Sequence, residues 1–91
     1  MTELGHVGRT TEGGVTRLSY RHEHAEAGRL AAGWMREAGA DVGVDRWGNL
    51  FGVVPGTGNA LPPVAAGSHL DTVPNGGIFD GGLGVVAAVE A

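Results

Sequence analysis

The chain has no cysteine. Disulfides and thiolate metal sites are therefore excluded, along with the usual staples of a small secreted domain. Basic clusters are absent too: six Lys and Arg stand against ten Asp and Glu, for a formal net charge of -4. That balance argues against nucleic acid or an anionic membrane as a partner. No run approaches the roughly 20 apolar residues of a transmembrane helix. The N-terminus, Met-Thr-Glu-Leu-Gly-His, lacks the basic segment and apolar stretch of a signal peptide, so a cytoplasmic protein is expected. There are no internal repeats. The length of 91 residues allows at most one small domain, which would bury about 60–65% of its unfolded surface.

Glycine is what the chain has in excess, 18 of 91 residues against a usual share near ~7%. The glycines lie between apolar periodic segments and do not form tracts, so they predict many tight turns and not disorder. Residues 1–14 show no periodicity and are expected to be a loose coil. Val15–Tyr20 reads as an extended piece or a helix lead-in. Within it, Arg17 has the planar fork that suits a substrate carboxylate, but an ordinary solvated arginine is the expectation.

Residues 22–38 carry the clearest helical pattern, with Ala27, Leu30, Ala31, Trp34, Met35 and Ala38 on one stripe. Gly39 is placed to stop that helix. Gly28 and Gly33 each cost up to ~1 kcal/mol against alanine, so the helix needs tertiary support. His22 and His24 are two apart and do not share a helix face; they read as solvated. Residues 40–45 and 50–54 alternate or run apolar around Arg46-Trp47-Gly48-Asn49, which predicts a β-hairpin. Residues 56–63 read as a polar Gly/Pro loop. Val64-Ala65-Ala66-Gly67 reads as a third strand, apolar on both sides and so covered on both faces. From about Gly82 to Ala91 the chain is apolar nearly all round and predicts a buried helix. That helix has no stop signal, so the sequence reads as the front of a longer protein.

The chemistry gathers in residues 65–84. His69 and Asp71 follow the third predicted strand and are two apart, which in an extended chain puts both on one face. A carboxylate there can orient the imidazole and raise its basicity as a ligand. Residues 72–79 form a turn-rich loop with Pro74 and Asn75-Gly76-Gly77, which can bring Asp80 back toward His69. Imidazole plus carboxylate suits Zn, Mn, Co or Fe(II). The same residues admit a plainer reading: Asp80 as a helix cap, Asp71 and Asn75 as turn residues, His69 as a structural histidine. Spacing alone leaves both open.

The run Gly67-Ser68-His69-Leu70-Asp71-Thr72-Val73-Pro74-Asn75-Gly76-Gly77, followed by Phe79-Asp80-Gly81, closely resembles the first metal-binding motif of the M20 family of di-metal hydrolases. Within that family it looks most like the N-carbamoyl-L-amino acid amidohydrolase and allantoate amidohydrolase branch. The segments 13–18, 34–39 and 45–50 agree with it. Ile78, where the family often has a polar or basic residue, and Arg21-His22, where a capping Ser or Thr is common, are departures.

The resemblance implies an α/β fold: the N-terminal part of a zinc-exopeptidase-like three-layer αβα catalytic domain, with residues 1–91 as one truncated portion of it. It implies two divalent metal ions (Zn, Mn or Co), with His69 ligating one, Asp80 bridging both and Asp71 as the catalytic-site carboxylate that orients His69. It implies a small-molecule ureido or amide substrate and hydrolysis of a linear C–N bond. The full-length protein is then expected to be a homodimer. An aminoacylase or peptidase of the same family is the alternative. A truncated remnant or interaction module without catalysis is the alternative of another class.

Overall fold

The computed structural model describes residues 2–57 and 61–91. Its elements in chain order are α1 (Thr2–His6), α2 (His22–Glu37), β1 (Asp41–Val44), β2 (Leu50–Val53) and α3 (Gly82–Glu90). Two helical faces and one hairpin thus make a small α/β unit, with α2 packed against both strands and against α3.

Helix α2 forms where the periodicity placed it. Its buried face is narrow: Ala27, Ala31 and Ala32 are buried, while Leu30, Trp34 and Met35 are half-buried and Ala38 is exposed. Small residues let neighbouring segments approach the helix closely. The long side chains beside them reach outward, as where Met35 lies over Gly52 of β2; a Cβ there would meet its sulfur at 2.9 Å. The stop is a Schellman motif. Gly39 takes φ +91, its N–H donates to Arg36 O, and the Ala40 N–H donates to Met35 O, both at 3.0 Å. The start lacks a side-chain cap at Arg21. Instead His24, expected to be solvated, accepts the Tyr20 N–H on Nδ1 at 3.0 Å.

The hairpin is antiparallel, with Asp41 opposite Val53 and Val44 opposite Leu50. Its turn is organised by one carboxylate. Asp45 Oδ1 accepts the N–H groups of Trp47 and Asn49, and Oδ2 accepts the Asn49 side-chain amide, all at 2.9 Å. The Asn49 amide, and then its backbone N–H, hold the Asp45 carboxyl below the usual aspartate range.

Several expectations change. Residues 1–14 are not all coil: α1 forms, with Leu4 fully buried. Five residues are too few to show periodicity, and a helix this short needs tertiary support. Val64–Gly67 is not a strand, and Val64 is fully exposed. A strand exists through its ladder partners, and among the described residues this segment has none. Helix α3 is not buried all round: Gly82 and Val85 are buried, but Leu83 is 53% exposed. Of the loop expected over 56–63, residues 58–60 lie outside the described residues.

Arg17 is the largest correction. It is 1% exposed, neither solvated nor open to a substrate carboxylate. Its Nη1 donates to Leu4 O at 2.8 Å and Val7 O at 2.9 Å, and its Nε donates to Leu70 O at 2.6 Å. The guanidinium thus caps the carbonyl end of α1 and ties it to the motif loop. Burial lowers its pKa, and the nearby Asp71 charge raises it in part. Val15, beside it, is bonded both ways to Gly76, at 2.8 and 2.7 Å.

Two outcomes are expected. Arg17→Met leaves three carbonyls without their charged donor, so the denaturation midpoint should fall by an amount worth at least about 3 kcal/mol. The Asp45 carboxyl, followed by NMR, should titrate below an ordinary aspartate, and Asn49→Ala should move it upward. Because its folded pKa is the depressed one, the turn's stabilisation is present above the ordinary aspartate range. It is lost as pH falls through the folded value.

Candidate metal centre

Four short hydrogen bonds shape the segment that carries His69 and Asp71. Leu70 O is held by Arg17 Nε. The Thr72 N–H donates to Arg17 O at 2.8 Å. The buried Thr72 hydroxyl accepts the Arg17 N–H at 2.9 Å and donates to Val15 O at 3.0 Å. The backbone on both sides of Asp71 is therefore fixed to the extended segment 15–17. Beyond it the loop turns at Asn75, which takes φ 52 and donates its N–H to Thr16 Oγ1 at 2.9 Å. The turn role weighed for Asn75 is the one it has.

The chain then returns to His69. Gly82 N–H donates to Asp80 O at 2.7 Å, a three-residue γ-turn centred on Gly81 at φ 70. A Cβ on Gly81 would lie 2.6 Å from His69 Cε1 and Nδ1, and one on Gly84 would lie 2.6 Å from Ser68 Cβ. Two glycines thus let the first turn of α3 sit against residues 68 and 69.

The three predicted site residues come together around one ring. His69 Nδ1 lies 3.0 Å from Asp71 O and 3.4 Å from Asp71 Oδ1. On the other side, His69 Nε2 lies 3.7 Å from Asp80 Oδ1. All three are about half exposed. Asp80 does not serve as the cap of α3: the N-cap is Gly81, without a side-chain bond. Because the carboxylates flank opposite nitrogens, the three side chains do not converge on one point. Among the described residues no cluster of three such side chains encloses an ion.

The donor chemistry nevertheless fits a cation between His69 and Asp80. At 3.7 Å the pair is beyond hydrogen-bond reach. That separation is near what two donors take up on one ion with bonds of about 2.0–2.2 Å. Asp71, on the far nitrogen, is placed to orient the ring and does not face that point. A groove of about 450 Å³ between α2 and α3, lined by Trp34, Val86 and Val89, includes none of these residues.

Arg17, Thr72 and Gly81 shape the site without having been picked out for it. One sequence signal for Arg17 was available: it lies two positions from Val15, on the same side of an extended segment, and so shares Val15's burial.

No protein-family model matches the chain. It is 53% identical over 90 residues to an N-carbamoyl-L-amino acid amidohydrolase of Geobacillus stearothermophilus, covering 99% of this chain and 22% of that protein. It is 41% identical over 88 residues to an allantoate amidohydrolase of Bacillus subtilis (strain 168), covering 97% and 21%. The crystal structure of a hydantoinase/carbamoylase family amidase from Burkholderia ambifaria matches with a TM-score of 0.94 at 44% identity, covering 98% of this chain and 22% of that one. The chain thus spans about a fifth of the length of the proteins it matches. The likeness to the carbamoylase and allantoate amidohydrolase branch, read first from the central motif, extends over nearly the whole chain.

Gly81→Ala should destabilise the protein by about 1–3 kcal/mol from backbone strain alone and should shift the His69 ring resonances. Thermal unfolding and histidine-selective NMR read the two effects separately. An unshifted ring would mean that α3 does not abut it.

Proposed function

We propose that residues 1–91 are the N-terminal portion of the catalytic domain of a metal-dependent amidohydrolase. Its substrates are N-carbamoyl-L-amino acids or allantoate-like ureides, cleaved at a linear C–N bond. The observation that carries the proposal is the approach of His69 Nε2 and Asp80 Oδ1 to 3.7 Å across a glycine-built turn. The likeness to carbamoylases over 99% of the chain supports the substrate class.

On this reading His69 ligates one divalent ion, Asp80 bridges to a second, and Asp71 holds the far side of the imidazole. Two such ions (Zn, Mn or Co) supply Lewis acidity and make water a nucleophile at neutral pH. This chain's own residues hold and orient. Asp71 accepts a hydrogen bond from Nδ1–H on its carbonyl, with its carboxylate 3.4 Å from the same nitrogen, which leaves the Nε2 lone pair on the side of Asp80. The Leu70 and Thr72 backbone bonds keep Asp71 in place. The remaining ligands and the general base come from outside residues 1–91. The open apolar side chains fit a larger three-layer αβα domain that covers them: Val44 on the hairpin, Val64 in the segment that follows, Leu83 on α3.

The expected results are concrete. Residues 1–91 alone should bind a divalent ion weakly in calorimetry and should hydrolyse neither N-carbamoyl amino acids nor allantoate. His69→Ala should abolish the binding, and Asp71→Asn should weaken it by about 10–100-fold. Identical titrations for wild type and His69→Ala would remove His69 from the site. The full-length polypeptide should turn over one of the two substrate types with Zn, Mn or Co and lose that activity to a chelator.

A further inference from the structure

In a trans peptide the C=O and N–H point in opposite directions, and among the described residues no peptide bond is cis. The peptide between Asp71 and Thr72 therefore has two ends with separate tasks. Its N–H is on Arg17 O at 2.8 Å. Its C=O must then face away from Arg17, and it is found 3.0 Å from His69 Nδ1. The preceding peptide is held as well, with Leu70 O on Arg17 Nε at 2.6 Å. Both peptide planes around Asp71 are thus anchored to a single residue. The Thr72 hydroxyl completes the clamp. It bridges the Arg17 N–H and Val15 O at 2.9 and 3.0 Å, in a residue only 6% exposed.

We propose that Arg17 and Thr72 are positioning residues for His69, acting through the Asp71–Thr72 peptide. The clamp aims the Asp71 carbonyl at Nδ1. A carbonyl can only accept, so the neutral ring places its proton on Nδ1 and leaves the Nε2 lone pair toward Asp80. Neither Arg17 nor Thr72 touches a substrate or a metal. Their effect is to set which nitrogen is bare and where it points. The Asp71 carboxylate, at 3.4 Å from the same nitrogen, adds to a preference that the main chain already imposes. This inference rests on His69 being a ligand only for its consequence in metal binding; the tautomer itself follows from the hydrogen bonds.

The test uses the purified protein with isotope-labelled histidine and a long-range proton–nitrogen correlation, at a pH where the ring is neutral. The His69 signal is identified by its loss in His69→Asn. The unmodified protein should show the proton on Nδ1 and slow exchange of the Thr72 amide. Thr72→Ser, which keeps the hydroxyl, should keep both. Thr72→Val, shown to be folded by its amide spectrum, should give averaged tautomer shifts and bind zinc chloride at least tenfold more weakly. A folded Thr72→Val with the wild-type tautomer and zinc affinity overturns the proposal. So does a wild-type ring protonated on Nε2, or a fast-exchanging Thr72 amide, and both of these are measured whether or not the valine variant folds. If the wild-type ring is bare at Nε2 yet zinc leaves its signals unmoved, the ligand reading fails and the positioning reading stands.

Discussion

A buried guanidinium carries five N–H groups and a charge it cannot shed, so the chain around it has to be arranged to supply acceptors. Around Arg17 those acceptors are main-chain carbonyls. One comes from Leu4 in α1, one from Val7 just past its end, and one from Leu70 in the motif loop. The choice has consequences at both ends. The carbonyl end of a helix carries partial negative charge, so the cation stabilises α1, which is too short to stand alone. The same cation fixes the strand-like path of residues 70–72. The N-terminal turn and the candidate site are therefore parts of one polar cluster, and Asp71 supplies the opposite charge nearby.

The glycines serve close approach more than looseness. A Cβ on Gly14 would lie 2.9 Å from the Asn75 backbone, and one on Gly81 would enter the His69 ring. On α2 the small side chains do similar work, with Ala27 and Ala31 fully buried. The core is accordingly thin in large side chains: Leu4, Val15 and Val85 are its bulkiest buried hydrophobes. Much of what holds the segments together is backbone hydrogen bonding across glycine-permitted contacts. A short chain with few large apolar residues inside depends on such contacts more than a larger one does.

What the sequence made legible was what local pattern controls. The stripe on α2, its Gly39 stop and the hairpin between residues 41 and 53 each follow from periodicity or turn chemistry within a few residues. The return of Asp80 to His69 was legible for the same reason, since eleven positions and a glycine-rich turn separate them. Arg17 was legible only in part: its spacing from Val15 hints at a shared buried side, but its acceptors, Leu4, Val7 and Leu70, are connected by no local rule. Helix α1 was hidden for the same cause. Val64–Gly67 failed in the opposite direction: its apolar pattern is that of a covered strand, but a ladder needs partners, and the described residues offer none.

That contrast bears on how a half-site can be ordered. Closing a loop costs entropy that grows only slowly with length and is smallest for near neighbours, so bringing Asp80 back to His69 costs little, and the bonds from Val15, Thr16 and Arg17 then fix the loop between them. The γ-turn at Gly81, the Asn75 turn and the Arg17 clamp all act within the described residues. On the proposed reading, then, the first two donors are preorganised before any distant ligand arrives. On that reading the ion would enter between an imidazole and a carboxylate that already stand 3.7 Å apart. The Asp71 carbonyl on the Nδ1 side, in a peptide anchored to the buried Arg17, would keep the ring turned toward it.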